Sequence, residues 1–177
     1  MARIDIERRD RVAILRFDNP PKGYMNGEMV GQLESAVDAL LADDAVRVLV
    51  FTGALEGVFI EHYDVSELLA LSARMRAKGA TFSADRPVPE SPFHRTLARL
   101  ETAPKPTIAA INGNAMGGGF EFCMACDLRL AQRGPFHLGQ PEINIGILAG
   151  AGGTQRLVRL VGTARALELS QIGRAHV

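Results

Sequence analysis

Two glutamates stand where the surrounding residues are mostly apolar or uncharged. Glu121 follows Gly117, Gly118 and Gly119 in "MGGGFEFCMACD" and is flanked by Phe120, Phe122, Cys123 and Met124. Glu142 stands in "LGQPEINIG", where Pro141 stiffens the approach. A carboxylate in apolar surroundings is costly to ionise. Two of them in unequal environments can divide the work of acid and base. The glycines add a second ingredient: they let the chain turn tightly and leave N–H groups exposed at a helix start, where developing negative charge is stabilised. One such donor aimed at a carbonyl oxygen lowers a barrier by about 3 kcal/mol. Each feature also has a plain reading. Glu121 could be a buried carboxylate bonded to backbone amides, Glu142 an exposed loop residue, and the glycine triple a device for close packing.

Other chemistries find less support. A phosphate cradle of the Walker type needs a lysine that neither "GNAMGGGF" nor "GAGGTQR" supplies, and G-x-G-x-x-G is missing from its strand–turn–helix setting. Ser35, Ser66, Ser72, Ser83, Ser91 and Ser170 all lack the setting of an activated nucleophile. Cys123 and Cys126 lie in a run that reads as buried helix, so structural thiols are expected rather than a redox pair or zinc ligands. His62, His94, His137 and His176 have no ligand spacing, and no metal is expected. Twenty basic residues balance twenty acidic ones. That balance gives no sign of a nucleic-acid-binding surface. No apolar run reaches the ~18 residues of a membrane span, and "ARIDIERRD" is unlike a signal segment, so the cytoplasm is the expected compartment.

The elements that must position these groups alternate between strand and helix, which places the chain in the α/β class. Ile4 and Ile6, then Val12, Ile14 and Phe17, read as a hairpin around Asp10. After the break at "DNPPKGYMN", Asn26 caps a helix whose apolar face is Val30, Leu33, Val37, Leu40 and Leu41. Residues 46–53 form a strand covered on both sides. Helical spacing resumes after Asp64, which with Glu67 has capping-box spacing, and carries Leu68, Leu69 and Leu71. Residues 79–92 read as an irregular loop and 93–101 as a short helix. "PKPTIAAING" reads as a strand leading to the glycine turn and a buried helix. Leu128–Gln132 and Phe136–Gly139 are short strands, and a helix from Thr154 carries Leu157, Leu160 and Val161.

The ordered series "NGNAMGGGFEFCMACDLRLA", "FHLGQPEINIGI" and "GAGGTQRLVRLVG" resembles the enoyl-CoA hydratase/isomerase family, the crotonases, over nearly the whole chain. "NPPKGYMN" is similar to the family's N-terminal loop, and "FTGALEGVFIEHYDVSEL" occupies the place of its first oxyanion-hole loop. The resemblance implies a spiral of repeated ββα units, assembled as a homotrimer or a dimer of trimers. It implies acyl-CoA thioesters as substrates, with coenzyme A carried by the substrate and no separate cofactor. It also implies two backbone N–H donors to the thioester carbonyl, from Gly118 and from Tyr63, so that Tyr63, Asp64 and Gly118 lie along the bound thioester. Hydratases of the family pair two glutamates, matched here by Glu121 and Glu142. The pair positions a water, and one of them delivers a proton to the α-carbon in a syn addition across a 2-enoyl thioester. Hydration is the implied activity. Double-bond isomerisation, thioester hydrolysis and carbon–carbon cleavage begin from the same hole, and a non-catalytic binding or oligomerisation member is a further alternative.

The chain departs from the family's pattern at Glu61, His62 and Tyr63, where Ala-Gly-Ala is usual before Asp64. These side chains either line a pocket for a different acyl chain or obstruct coenzyme A. His62 either meets the substrate or is an ordinary loop histidine. Ala149 stands where many relatives have proline. Relatives also run longer, so residues 1–177 are expected to form a single core domain lacking a C-terminal helical part, with about 172–177 foreign to the protein.

Overall fold

The structure, a computed structural model, describes residues 1–81, 83, 85, 90–172 and 175–176. Arg3–Arg9 (β1) and Val12–Asp18 (β2) pair antiparallel around Asp10, which adopts a φ of +50°, a conformation short polar side chains tolerate. Ala13, Leu15 and Phe17 are the fully buried face of β2, while Val12 and Ile14 are only half-buried. The strand's buried face is thus the one carrying Ala13, Leu15 and Phe17, offset by one residue from the expected Val12 and Ile14. Gly27–Ala42 (α1) begins at Asn26, whose Oδ1 accepts the Met29 N–H at 2.9 Å, and it buries Met29 besides the five expected residues.

The rest of the chain repeats one pattern. Val48–Gly53 (β3), Gly57–Ile60 (β4) and Val65–Ala77 (α2) form one ββα unit. After Pro92–Glu101 (α3), Thr107–Ile111 (β5), Gly113–Met116 (β6) and Gly118–Ala125 (α4) form the next. Leu128–Ala131 (β7), His137–Gly139 (β8), a 3-10 turn at Pro141–Ile145 and Gly153–Val161 (α5) follow, and then Thr163–Ile172 (α6). The first strand of each unit extends a five-stranded sheet ordered β1-β2-β3-β5-β7. The second strand extends another sheet, in which β4, β6 and β8 lie side by side and Ala175–His176 (β9) pairs with β8. This is the repeated ββα order that the resemblance implies. The four-residue strands β4 and β6 were not expected from sequence, being too short to show a period.

The two sheets meet at glycine corners. A Cβ on Gly53 would lie 1.8 Å from the Val58 carbonyl oxygen, and one on Gly113 would lie 1.8 Å from the Gly57 carbonyl carbon. Asn112 ties the corners together: its Oδ1 accepts the Gly53 N–H at 2.9 Å, and its Nδ2 donates to the Gly53 and Leu55 carbonyls, each at 3.2 Å. Phe122 of α4 packs edge-on against Phe17 of β2 and Phe51 of β3, and tilted against Phe59 of β4. The helix carrying Glu121 is thereby fixed against both sheets. Cys123 of the same helix and Cys126 at its C-terminal cap are buried free thiols, as expected.

Two helices depart from expectation. Asp64 caps α2 through the Ser66 N–H, but the reciprocal half of the capping box is not made. Glu67 accepts instead from Gly27 N and from the Tyr63 hydroxyl. None of the apolar residues of α2 is buried. In α5, Leu157 is buried while Leu160 and Val161 are exposed. Within the expected loop at 79–92, positions 82, 84 and 86–89 lie outside the described residues. So do 173, 174 and 177 of the suspected foreign tail, and the side chains throughout 172–177. Among the described residues no helix is long and apolar enough to cross a membrane.

Gly113→Ala should destabilise the fold by about 3 kcal/mol, since backbone atoms of the facing corner must shift. Gly31→Ala should stabilise it by about 1 kcal/mol, because that exposed helical position has open space around the added methyl. Urea unfolding of both variants checks this, and equal midpoints would contradict it.

Candidate active site

The glycine triple serves three separate needs. Gly117 takes a φ of +50°, a region that favours glycine, and its N–H donates to the Gly139 carbonyl at 2.9 Å, tying the start of α4 to β8. Gly119 lies so close to β4 that a Cβ there would be 2.3 Å from the Ile60 carbonyl oxygen. Gly118, between them, has no positive φ. A Cβ on it would lie 3.2 Å from Tyr63 Cβ and 3.7 Å from Tyr63 N.

Tyr63 reaches this position because Met25 brackets it. Met25 N donates to His62 O at 2.9 Å, and Asp64 N donates to Met25 O at 2.7 Å. In an extended segment successive N–H groups point to opposite sides, so the Tyr63 N–H faces away from Met25. Among the described residues, neither the Tyr63 nor the Gly118 amide has a hydrogen-bond partner. The structure thus brings these two sequence-named residues together. Asp64 belongs elsewhere: its amide is spent on Met25, and its carboxylate takes the Ser66 N–H and hydroxyl, which hold its pKa below the usual range.

The bulky loop side chains do not crowd the two amides without purpose. Glu61 accepts from Asn114 Nδ2 at 3.1 Å. His62 stacks on Tyr24 with ring centroids 4.1 Å apart, and its Nδ1 donates to the Tyr63 carbonyl. The Tyr63 hydroxyl donates to Glu67 at 3.0 Å, and burial with that carboxylate raises its pKa to about 12. Each of the three side chains therefore has a partner.

Glu121 sits one turn into α4 and is 3% exposed. Its Oε1 accepts two backbone N–H groups, from Ala151 at 2.7 Å and Gly153 at 2.8 Å. Burial raises its pKa, against the opposing pull of those amides, then of Arg156 and His94. The plain reading of Glu121 as an amide-bonded carboxylate is therefore correct for one oxygen. Glu142, on the 3-10 turn, is half-buried rather than an exposed loop residue, and its Oε1 would be 3.1 Å from a Cβ on Gly117. Its Oε2 is buried without a partner among the described residues. Burial, with the nearby Glu121 charge, pushes its pKa up to about 7. The two carboxylates thus lie within electrostatic reach of each other, in unequal environments.

Two contributors escaped the sequence reading. Gln140 is buried and donates from Nε2 to the Gly117 carbonyl at 3.2 Å, and its place immediately before Pro141-Glu142 was the available signal. Arg156 lies behind the Ala151 loop, and only its membership in "GAGGTQR" pointed to it.

The family model described as enoyl-CoA hydratase/isomerase matches residues 7–176. A crotonyl-CoA hydratase of Syntrophomonas wolfei is 37% identical over 169 residues, covering 94% of this chain and 60% of that protein. A short-chain-enoyl-CoA hydratase of Clostridium acetobutylicum is 33% identical over 165 residues, covering 93% and 59%. The crystal structure of an enoyl-CoA hydratase from Bacillus anthracis superposes with a TM-score of 0.81 at 31% identity, covering 97% of this chain and 63% of that one. The chain spans about three fifths of the length of the curated relatives it matches.

The raised pKa of Glu142 carries a stability consequence. Below the ordinary carboxylate range the group is protonated whether folded or unfolded. As pH rises towards about 7, the unfolded chain loses this proton before the folded one does, so the folded state loses relative stability. Glu142→Gln lacks this loss. Its melting temperature relative to the parent should therefore rise between pH 5 and pH 8. A difference independent of pH, measured by thermal unfolding, would contradict the assignment.

Proposed function

Because the chain belongs to the enoyl-CoA hydratase/isomerase family, we propose that its site adds water across the double bond of a 2-enoyl-CoA thioester. The observation that carries this reading is the meeting of two unequal carboxylates, Glu121 and Glu142, beside the paired free amides of Tyr63 and Gly118. A single carboxylate would suffice to move a proton along a substrate. Adding water calls for one group to take a proton from it and another to give a proton to carbon.

In this reading the thioester carbonyl accepts from the Tyr63 and Gly118 N–H groups. As water attacks the β-carbon, the π electrons move towards that oxygen, and the two donors and the start of α4 stabilise the developing enolate. Glu121 is the base. Two N–H donors on Oε1 favour its ionised form, leaving the other oxygen to take the water's proton. Glu142, which keeps its proton up to about pH 7, is the acid that protonates the α-carbon. A C–O and a C–H bond form on one face, and proton exchange between the carboxylates through water restores both groups. Coenzyme A enters as part of the substrate, and no further cofactor is invoked. The proposal extends to a cytoplasmic enzyme acting as a homotrimer or dimer of trimers, in keeping with the family resemblance.

The test is turnover of 2-enoyl-, 3-enoyl- and saturated acyl-CoA thioesters with product identification. The expected result is 3-hydroxyacyl-CoA from the 2-enoyl substrate. Conversion of 3-enoyl substrates alone would favour isomerisation, and failure to bind any of them would favour a non-catalytic role. Glu121→Gln and Glu142→Gln should each lower kcat by about 10²-fold or more in a folded protein. Near-parental rates in either would remove its acid–base role. Gly118→Ala should lower kcat/KM by about 10²-fold by disturbing one oxyanion donor. Without a positive φ the backbone accepts alanine, but the added methyl presses on Tyr63 Cβ at 3.2 Å, so thermal unfolding is measured beside the kinetics, and normal turnover in the folded variant would exclude Gly118 as a donor.

A further inference from the structure

We propose that Arg156 is a positioning residue for Glu121, acting through the peptide loop at Ala151, with Glu101 as its counter-charge. The proposal rests on the reading of Glu121 as the base. Arg156 lies on the first turns of α5, and its side chain is 12% exposed. Its Nε and Nη2 donate to the two oxygens of Glu101 at the end of α3, at 2.9 and 2.7 Å. A fork gripping both oxygens of a carboxylate fixes the plane of the guanidinium. The remaining nitrogen, Nη1, donates to the Ala151 carbonyl.

Ala151 therefore works from both sides. Its carbonyl is held by Arg156, and its N–H donates to Glu121 Oε1 at 2.7 Å. The same α5 start supplies the second N–H, from Gly153, while Arg156 N closes onto the Gly152 carbonyl at 3.0 Å. Gly152 holds a left-handed φ of +89°, and a Cβ there would lie 2.4 Å from Arg156 Nη1. The loop thus folds directly over the guanidinium. Three glycines in "GAGGT" make it intrinsically loose. The Arg156–Glu101 fork gives it one position, and with it the direction of the two amides.

The charge of Arg156 reaches Glu121 as well. The charged groups that act on Glu121 are Arg156 from α5, His94 from α3 and Glu142 from the 3-10 turn, while Glu101 from α3 is bound to Arg156. Arg156 and His94 favour the ionised base, whereas Glu142 opposes it and Glu101 offsets Arg156. Neutralising the two members of the fork should therefore have opposite effects on Glu121, whereas simple loosening of the structure would move both in the same direction.

The experiment follows the ¹³Cδ shift of Glu121 through a pH titration of the chain labelled at glutamate, with Glu121→Gln identifying the resonance. Arg156→Gln should raise the midpoint by about one pH unit. Glu101→Gln, which keeps an acceptor for the fork but removes the charge, should lower it. Arg156→Lys, which keeps the charge, should leave it within about half a unit of the parent. Opposite movements in Arg156→Gln and Glu101→Gln support the proposal. Unchanged midpoints, or shifts of the same sign, overturn it. Should Arg156→Gln fail to fold, the sign of the shift in Glu101→Gln alone decides. Turnover of the 2-enoyl substrate is measured alongside, and Arg156→Gln should lower kcat about tenfold with little change in KM. Absence of turnover in the parent would count against the hydratase reading, while the titration would still decide the role of Arg156.

Discussion

Two backbone N–H groups converge on one oxygen of Glu121, and most of the site follows from that convergence. A carboxylate buried this completely would ordinarily keep its proton. Donors at 2.7 and 2.8 Å make an ionised form tolerable. They can do so only if α4 and the start of α5 stay in register. Phe122 fixes the first against rings from β2, β3 and β4, and the loop ahead of α5 fixes the second. Because both donors take the same oxygen, the carboxylate is oriented as well as stabilised.

The opposite wall is built by the second strands of the ββα units. β4 leads into the Tyr63 loop, β6 into Gly118, and β8 into the turn carrying Glu142. Three neighbouring strands of one sheet thus end at three parts of the site. The hydrogen bond from Gly117 N to Gly139 O joins the last two, and the one from Met116 N to Glu61 O joins the first two. The side chains at Glu61, His62 and Tyr63 settle onto Asn114, Tyr24 and Glu67, so that substitutions away from small residues leave the backbone of the loop able to present its amide.

Much of this was legible in the sequence because the relevant signals are local. Glycines before a helix, a carboxylate inside an apolar run, and an asparagine ahead of a periodic stretch each report a constraint set by a few neighbouring residues. α1 with its Asn26 cap, the hairpin and the placement of Gly118 and Glu121 were read in that way. The misses lie where long-range packing decides. The strands β4 and β6 have four residues each, too few for a period, and they form through pairing with segments dozens of residues away. Glu67 abandons the capping box because Gly27 and Tyr63, brought close by the fold, offer it donors. The fork between Arg156 and Glu101 spans 55 positions, and no local pattern announces it.

The central claim is that this pair of carboxylates adds the elements of water to a thioester-conjugated double bond. Isotopic labelling tests it most directly. A 2-enoyl-CoA thioester incubated with the protein in ¹⁸O-enriched D₂O should yield 3-hydroxyacyl-CoA carrying ¹⁸O on the β-carbon. The same product should carry one deuterium on the α-carbon, on the face of the new hydroxyl. Substrate recovered without either label, or deuterium exchanged into a product that has gained no oxygen, would contradict the account.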